Sequence, residues 1–154
     1  MQDRRPDSRT QVVWSNAYRH FITDLDAALH VDMRLYDDDF GINSLTLEMA
    51  WVQNLGNSFH FIPRVRYYSQ SAADFFTPIN DFTGTLMFNS SDCRLWAYGA
   101  VSGGIQARAV FDDITLTFNL ERYITDSSYS LFDGDSSPAL VDFSRLSLGF
   151  GYSF

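Results

Sequence analysis

The sequence predicts an all-β protein: an antiparallel, up-and-down transmembrane β-barrel, represented by an incomplete C-terminal portion of six or seven strands. Three observations predict it. Six segments alternate apolar and polar residues with a period of two. The connections between them are short at one end and long at the other. The last segment, residues 145–154 (RLSLGFGYSF), closes on an aromatic residue.

Taken in order, residues 12–21 form a poorer strand. Residues 27–36 set Ala27, Leu29, Val31, Met33 and Leu35 against His30, Asp32 and Arg34, and residues 44–53 set Leu45, Leu47, Met49 and Trp51 against Thr46 and Glu48. In 59–68, Phe59, Phe61, Val65 and Tyr67 oppose His60, Arg64, Arg66 and Tyr68. Pro63 cannot donate to a ladder, which predicts a bulge or a later strand start there. Residues 94–108 are longer and Gly-rich, with Leu95, Ala97, Val101, Ile105 and Ala107 opposing Arg94, Ser102, Gln106 and Arg108. In 114–123, Ile114, Leu116, Phe118 and Leu120 oppose Thr115, Thr117, Asn119 and Glu121. The closing segment sets Leu146, Leu148, Phe150, Tyr152 and Phe154 against Arg145, Ser147, Gly149, Gly151 and Ser153. Successive strand side chains point to opposite faces, so each segment has one apolar and one polar face. Ten Asp, Glu or Arg residues fall in the six segments and nine share the polar phase, Arg122 being the exception, so the alternation describes a two-faced sheet. Each segment is about the 9–11 residues that a tilted strand needs to cross a bilayer.

If Phe154 lies on the periplasmic side, the connections 37–43, 69–93 and 125–139 lie outside and 54–58 and 109–113 are periplasmic. Long loops then fall on one side and short turns on the other, as in outer-membrane barrels. Trp51, Phe59, Tyr152 and Phe154 gather at the periplasmic end of the apolar face as an aromatic girdle, and Phe150, Tyr152 and Phe154 read as an assembly signal for the barrel-assembly machinery. Residues 1–11 read as a disordered or linker segment and 12–154 as a single barrel segment.

Composition narrows the classes. The net charge of −8 argues against nucleic acid as a partner, because no basic excess exists to replace phosphate counterions. Cys93 is the only cysteine, which leaves no internal disulfide and no cysteine-based zinc site. Apolar runs reach only four residues, against the roughly 20 of a membrane helix. The N-terminal MQDRRPDSRT carries no hydrophobic signal region, which an exported protein requires. The rival reading is a soluble β-barrel that binds a small apolar ligand inside, with the same alternation turned inward.

The segments DDDFGINSLTLEMAW (37–51), RVRYYSQSAADFF (64–76), LERY (120–123), PALVDF (138–143) and the closing LGFGYSF resemble the C-terminal part of a Gram-negative outer-membrane family catalogued as a domain of unknown function. The resemblance runs from about residue 10 to 154, and YYSQSAADF is its most specific part. It implies a larger barrel in the cell outer membrane, with a signal peptide and no established activity. The chain then reads as the C-terminal piece of such a protein. Its partners would be outer-membrane lipid and the N-terminal barrel strands it lacks, or another copy.

The polar phase carries His30, Asp32, Arg34, Glu48, His60, Arg64, Arg66, Arg108, Glu121 and Arg145. These form either a charged lumen that selects solutes or a network of ion pairs filling the interior, and mutual Arg–carboxylate pairing favours the network. Asp37, Asp38 and Asp39 read as a solvated turn, as do Asp126, Asp133 and Asp135, since the following residues lack calcium-loop spacing. His30 with Ser44, and His60 with Ser69 and Ser71, come with no nucleophile elbow. No enzyme, cofactor or metal is therefore expected. Residues 69–76 read as a loop that folds back as a plug or contacts a partner.

Overall fold

The computed structural model describes residues 5–77, 88–132 and 140–153. Among these residues seven strands form one sheet: β1 (Gln11–Ile22), β2 (Ala27–Asp38), β3 (Asn43–Leu55), β4 (Phe59–Gln70), β5 (Tyr98–Phe111), β6 (Ile114–Asp126) and β7 (Phe143–Tyr152). They lie side by side in sequence order and every pair is antiparallel, an all-β, up-and-down arrangement. The helical residues among those described are single 3-10 turns at Thr23–Leu25, Cys93–Leu95 and Ser127–Tyr129. Among the described residues no helix is long and apolar enough to cross a membrane, a statement that does not bear on strands.

Residues 12–21 belong to a full strand of twelve residues, β1. Its outward phase mixes Asn16 and His20 with Val12, Trp14 and Tyr18, which blurs the alternation that marks the inner strands. Residues 94–97 do not belong to β5. The Asp92 side chain accepts from Arg94 N–H, and Leu95 N–H donates to Asp92 O at 2.9 Å, so the chain turns once before extending at Tyr98. At Pro63 there is no bulge and no late start. β3 and β4 keep one register from Ala50↔Arg64 to Gln53↔Phe61, and the ladder skips only the two pairs between them. The missing N–H of Pro63 faces β3, while its β5 side stays paired with Ile105.

The connections differ between the two ends. At one end lie turns 23–26, 56–58 and 112–113, and at the other lie 39–42, 71–97 and 127–142. The β2–β3 connection is as short as the β1–β2 turn, so the asymmetry rests on the two longer connections. Asp112 adopts φ 45° in its two-residue hairpin, a conformation that Asp tolerates.

A small hydrophobic core sits at the long-loop end, where Phe40, Ile42, Ala73, Phe75 and Leu95 are buried with Tyr36 and Phe76 against them. Phe40 and Phe75 meet edge to face at 5.0 Å. Gly41 allows the tight turn there with φ 80°, and a side chain at that position would run into Asp74. The chain ahead of β1 is tied to the same region: Thr10 N–H donates to an Asp39 carboxylate oxygen at 3.0 Å, and Arg9 binds Asp38.

The burial of β6 is inverted relative to a strand of a water-soluble sheet. Along β6, Ile114, Leu116, Phe118, Leu120 and Ile124 are exposed, with Arg122 and Asp126 towards its end, and Thr115, Thr117, Asn119, Glu121 and Tyr123 are half-buried. On β7, Leu148 and Phe150 are 78% and 71% exposed. Among the described residues, β1 and β7 each pair with one neighbour, and both are exposed along almost their whole length. Gly104 of β5 keeps a crossing open on the polar face. A Cβ there would lie 2.6 Å from Leu120 O and 3.2 Å from Glu121 Cα. Gly104→Val is expected to destabilise the sheet by about 1–3 kcal/mol, measured as a lower urea midpoint of the detergent-solubilised chain.

Candidate functional site: the polar face and its loop cap

Directly paired residues of antiparallel strands share a face, so the register places His30, Asp32, Arg34, Glu48, His60, Arg64, Arg66, Arg108, Glu121 and Arg145 together. One row runs Asp32, Glu48, Arg66, Ser102 and Tyr123 across five strands, and another runs His30, Ala50, Arg64, Gly104, Glu121 and Arg145 across six. In the second row Gly104 lets Arg64 reach over β5 to Glu121, 3.9 Å away, while Arg145 closes on the same carboxylate at 2.6 Å. Asp32 pairs with Arg19 of β1, whose guanidinium reaches both carboxylate oxygens at 2.7 and 2.8 Å. His60 Nδ1 lies 2.8 Å from Asn54 Oδ1, at the short-turn end.

The remaining members are not drawn into these pairs. Among the described residues, Arg34, Arg66, Arg108 and Glu48 have no oppositely charged partner within 4 Å. Arg122 lies in the apolar phase near the strand end, where it meets Asp142 at 3.6 Å and Ser144 Oγ at 3.4 Å.

Sequence reading missed two contributors to this face. Arg19 sits on the strand whose pattern was weak. A tyrosine cluster is the other: Tyr68 and Tyr98 meet at 5.6 Å, and Tyr123 stacks on Phe143 at 4.9 Å. Tyr68 already stood in the polar phase of the sequence, and the same phase carried on to Tyr98, Tyr123 and Phe143 could have placed the other three.

The loop cap lies over the long-loop end. Tyr68 donates to Gln70 Oε1 at 2.6 Å, and Gln70 Nε2 donates to the carbonyls of Arg94 and Trp96 at 2.9 and 2.7 Å. The segment after β4 therefore folds back onto the polar face. Residues 127–132 sit on the opposite face, where Tyr67 donates to Tyr129 O at 2.6 Å and Leu131 N–H donates to the buried Ser69 at 2.8 Å.

Asp38 corrects the reading of 37–39 as a solvated turn. Its side chain is 0% exposed. Arg9 Nε donates to it at 2.7 Å, Tyr36 at 2.6 Å, and the N–H groups of Phe40 and Ile42 at 3.0 Å each. Arg9 in turn lies over the Phe40 ring at 4.7 Å. Asp126 caps the turn after β6 through Ser128 N–H at 2.8 Å. Asp133, Asp135 and Phe154 lie outside the described residues. Phe150 and Tyr152 stand exposed on the apolar face of β7, and Phe59 packs edge to face on Phe111 at 5.5 Å towards the same end. No group of His, Cys, Asp and Glu able to hold a metal occurs among the described residues.

Asp92 clamps the cap, binding Arg94 at 2.6 Å and Arg5 at 3.0 Å. The Arg94 guanidinium hydrogen-bonded to it holds its carboxyl well below the usual range, against the upward push of burial, and Arg94 N–H and Arg5 add to the lowering. A lowered folded-state pKa contributes stability that is complete above the unfolded value of about 4 and is lost as pH falls through the folded value. In a Trp14→Phe, Trp51→Phe chain, Trp96 emission reports the cap through its packing on Phe76 at 4.4 Å. Acidification well below about pH 4 is expected to red-shift that emission, and Asp92→Asn to red-shift it at neutral pH and flatten the acid response. Asp38→Ala leaves two buried N–H groups and Arg9 without their acceptor, and is expected to cost about 1–3 kcal/mol, read from the urea midpoint of the same signal.

Neither a curated protein nor a solved structure matches this chain. A family model described as Protein of unknown function (DUF3570) matches residues 1–142, taking in β1 to β6 whole. The chain belongs to that family.

Proposed function

We propose that this chain is a wall segment of a β-barrel in the outer membrane of a Gram-negative cell, with its apolar face towards lipid and its polar face towards the lumen. Its role is structural or pore-like and not enzymatic. The observation that carries this reading is the inverted burial of β6, apolar residues exposed and polar residues half-buried. A soluble barrel with an apolar interior needs the opposite. Among the described residues the compact hydrophobic core is built around loop residues, and beyond residues 127–132 at the long-loop end no second layer covers the apolar side of the sheet. Lipid is the partner that accepts such a face at no cost in apolar exposure. The strands are 10–14 residues long, enough to span the hydrocarbon layer when tilted.

Open sheet edges are untenable in hydrocarbon, because their N–H and C=O groups find no water there. Further strands, from the same polypeptide or another copy, are therefore partners in this reading, and the barrel-assembly machinery would engage β7.

Substitution on the two faces tests the proposal. In the chain refolded into bilayers, Leu120→Arg is expected to cost about 2–4 kcal/mol, and Asn119→Arg, one residue away on the other face, to cost under about 1. Equal costs, or a larger cost at Asn119, contradict the reading, as does a stable monomer in buffer without detergent.

A further inference from the structure

We infer that the cavity beneath the loop cap binds a solute bearing a carboxylate or phosphate group, gripped between Arg34 and Arg66. The inference takes the polar face as the inner face and so rests on the barrel reading. Most arginines on this side of the sheet have a carboxylate partner. Arg19 is held by Asp32, Arg64 and Arg145 by Glu121, Arg9 by Asp38, and Arg5 and Arg94 by Asp92. Arg34 and Arg66 are not: among the described residues neither has a carboxylate within 4 Å.

Both line one cavity of about 440 Å³, a size that admits a small organic anion, together with Tyr68, Ser44 and Thr46. They stand on β2 and β4 with β3 between and two residues apart along the sheet, so their backbones are about 12 Å apart on one face, within the reach of two arginine side chains converging on one ligand. Arg66 also lines a second cavity of about 170 Å³ with Tyr98, Ser102 and Tyr123. The hydroxyl groups of Thr46, Ser102 and Tyr123 offer neutral donors around the charged pair.

The chemistry of the ligand follows from the groups. Two guanidinium forks offer paired N–H donors that match the oxygens of carboxylate or phosphate. Charge in a recess with low-dielectric walls raises the local concentration of the opposite ion. Glu48 is the one nearby carboxylate left over. It stands opposite Arg66 in register but does not close on it, and it lines an adjoining cavity with Arg34 and Arg66. It competes with an incoming anion.

Calorimetric titration of the full chain in dodecylmaltoside, with succinate and with inorganic phosphate as probes, tests the inference. Saturable binding of at least one probe is expected. Arg34→Gln and Arg66→Gln should each weaken it about tenfold, the loss of one charge-assisted contact. Arg108→Gln, at the other end of the face, should leave it unchanged, and Glu48→Gln should tighten it. Arg34→Lys and Arg66→Lys keep the charge and should retain weakened binding, which separates loss of the site from loss of the fold. The inference is overturned if neither probe saturates by about 50 mM, or if the double Gln variant binds like the parent chain. A chain that stays monomeric in plain buffer would sink the barrel reading instead, and the same titration in that buffer would still decide the site.

Discussion

Along β6 the sheet turns Ile, Leu and Phe side chains to its exposed face and Thr, Asn, Glu and Tyr side chains to its half-buried one, and the rest of the structure is arranged around that inversion. Leu148 and Phe150 are largely bare, so the sheet itself gains little from burying apolar area, and its own cohesion comes from six backbone ladders. Where the chain does build a hydrophobic core, it uses Phe40, Ile42, Phe75 and Leu95 from the loops. The polar face is held by side-chain pairs that bridge strands, and the crossing of Arg64 onto Glu121, which Arg145 also binds, depends on Gly104 presenting no side chain between Arg64 and Glu121.

The edges impose a second constraint. β1 and β7 are both odd-numbered strands of a meander and so run in the same direction. An all-antiparallel closure then takes an odd number of additional strands. A second copy in the same orientation would meet the first with parallel seams. A copy turned end over end would restore antiparallel seams but place long loops at both ends. Additional strands that keep the long connections 71–97 and 127–142 on one side satisfy both requirements.

Much of this was legible in the residues. Alternation placed Leu116, Phe118 and Leu120 opposite Thr117, Asn119 and Glu121, and one register error would have flipped every one of them. The ten polar-face residues were found for the same reason, since an unbroken period of two leaves no choice of face. β1 was harder, because Asn16 and His20 interrupt its outward phase. The start of β5 was misplaced because Leu95 and Ala97 continue the alternation of the strand while belonging to the loop core or its edge. The burial of Asp38 could not be read from a run of three aspartates. It depends on Arg9, Tyr36 and two backbone N–H groups that only the folded loop brings together. Likewise, which arginines find a carboxylate depends on side-chain reach across strands, which sequence spacing does not carry.

The central claim is that the apolar phase of the sheet faces hydrocarbon. Cys93 is the only cysteine, so a Cys93→Ser chain accepts single cysteines at each position of β6 for spin labelling in lipid bilayers. Accessibility to oxygen dissolved in the lipid, against a water-soluble nickel chelate, should alternate with a period of two, with labels at 116, 118 and 120 lipid-exposed and those at 117, 119 and 121 not. The opposite phase, or uniform access to the water-soluble quencher along the strand, would contradict the account.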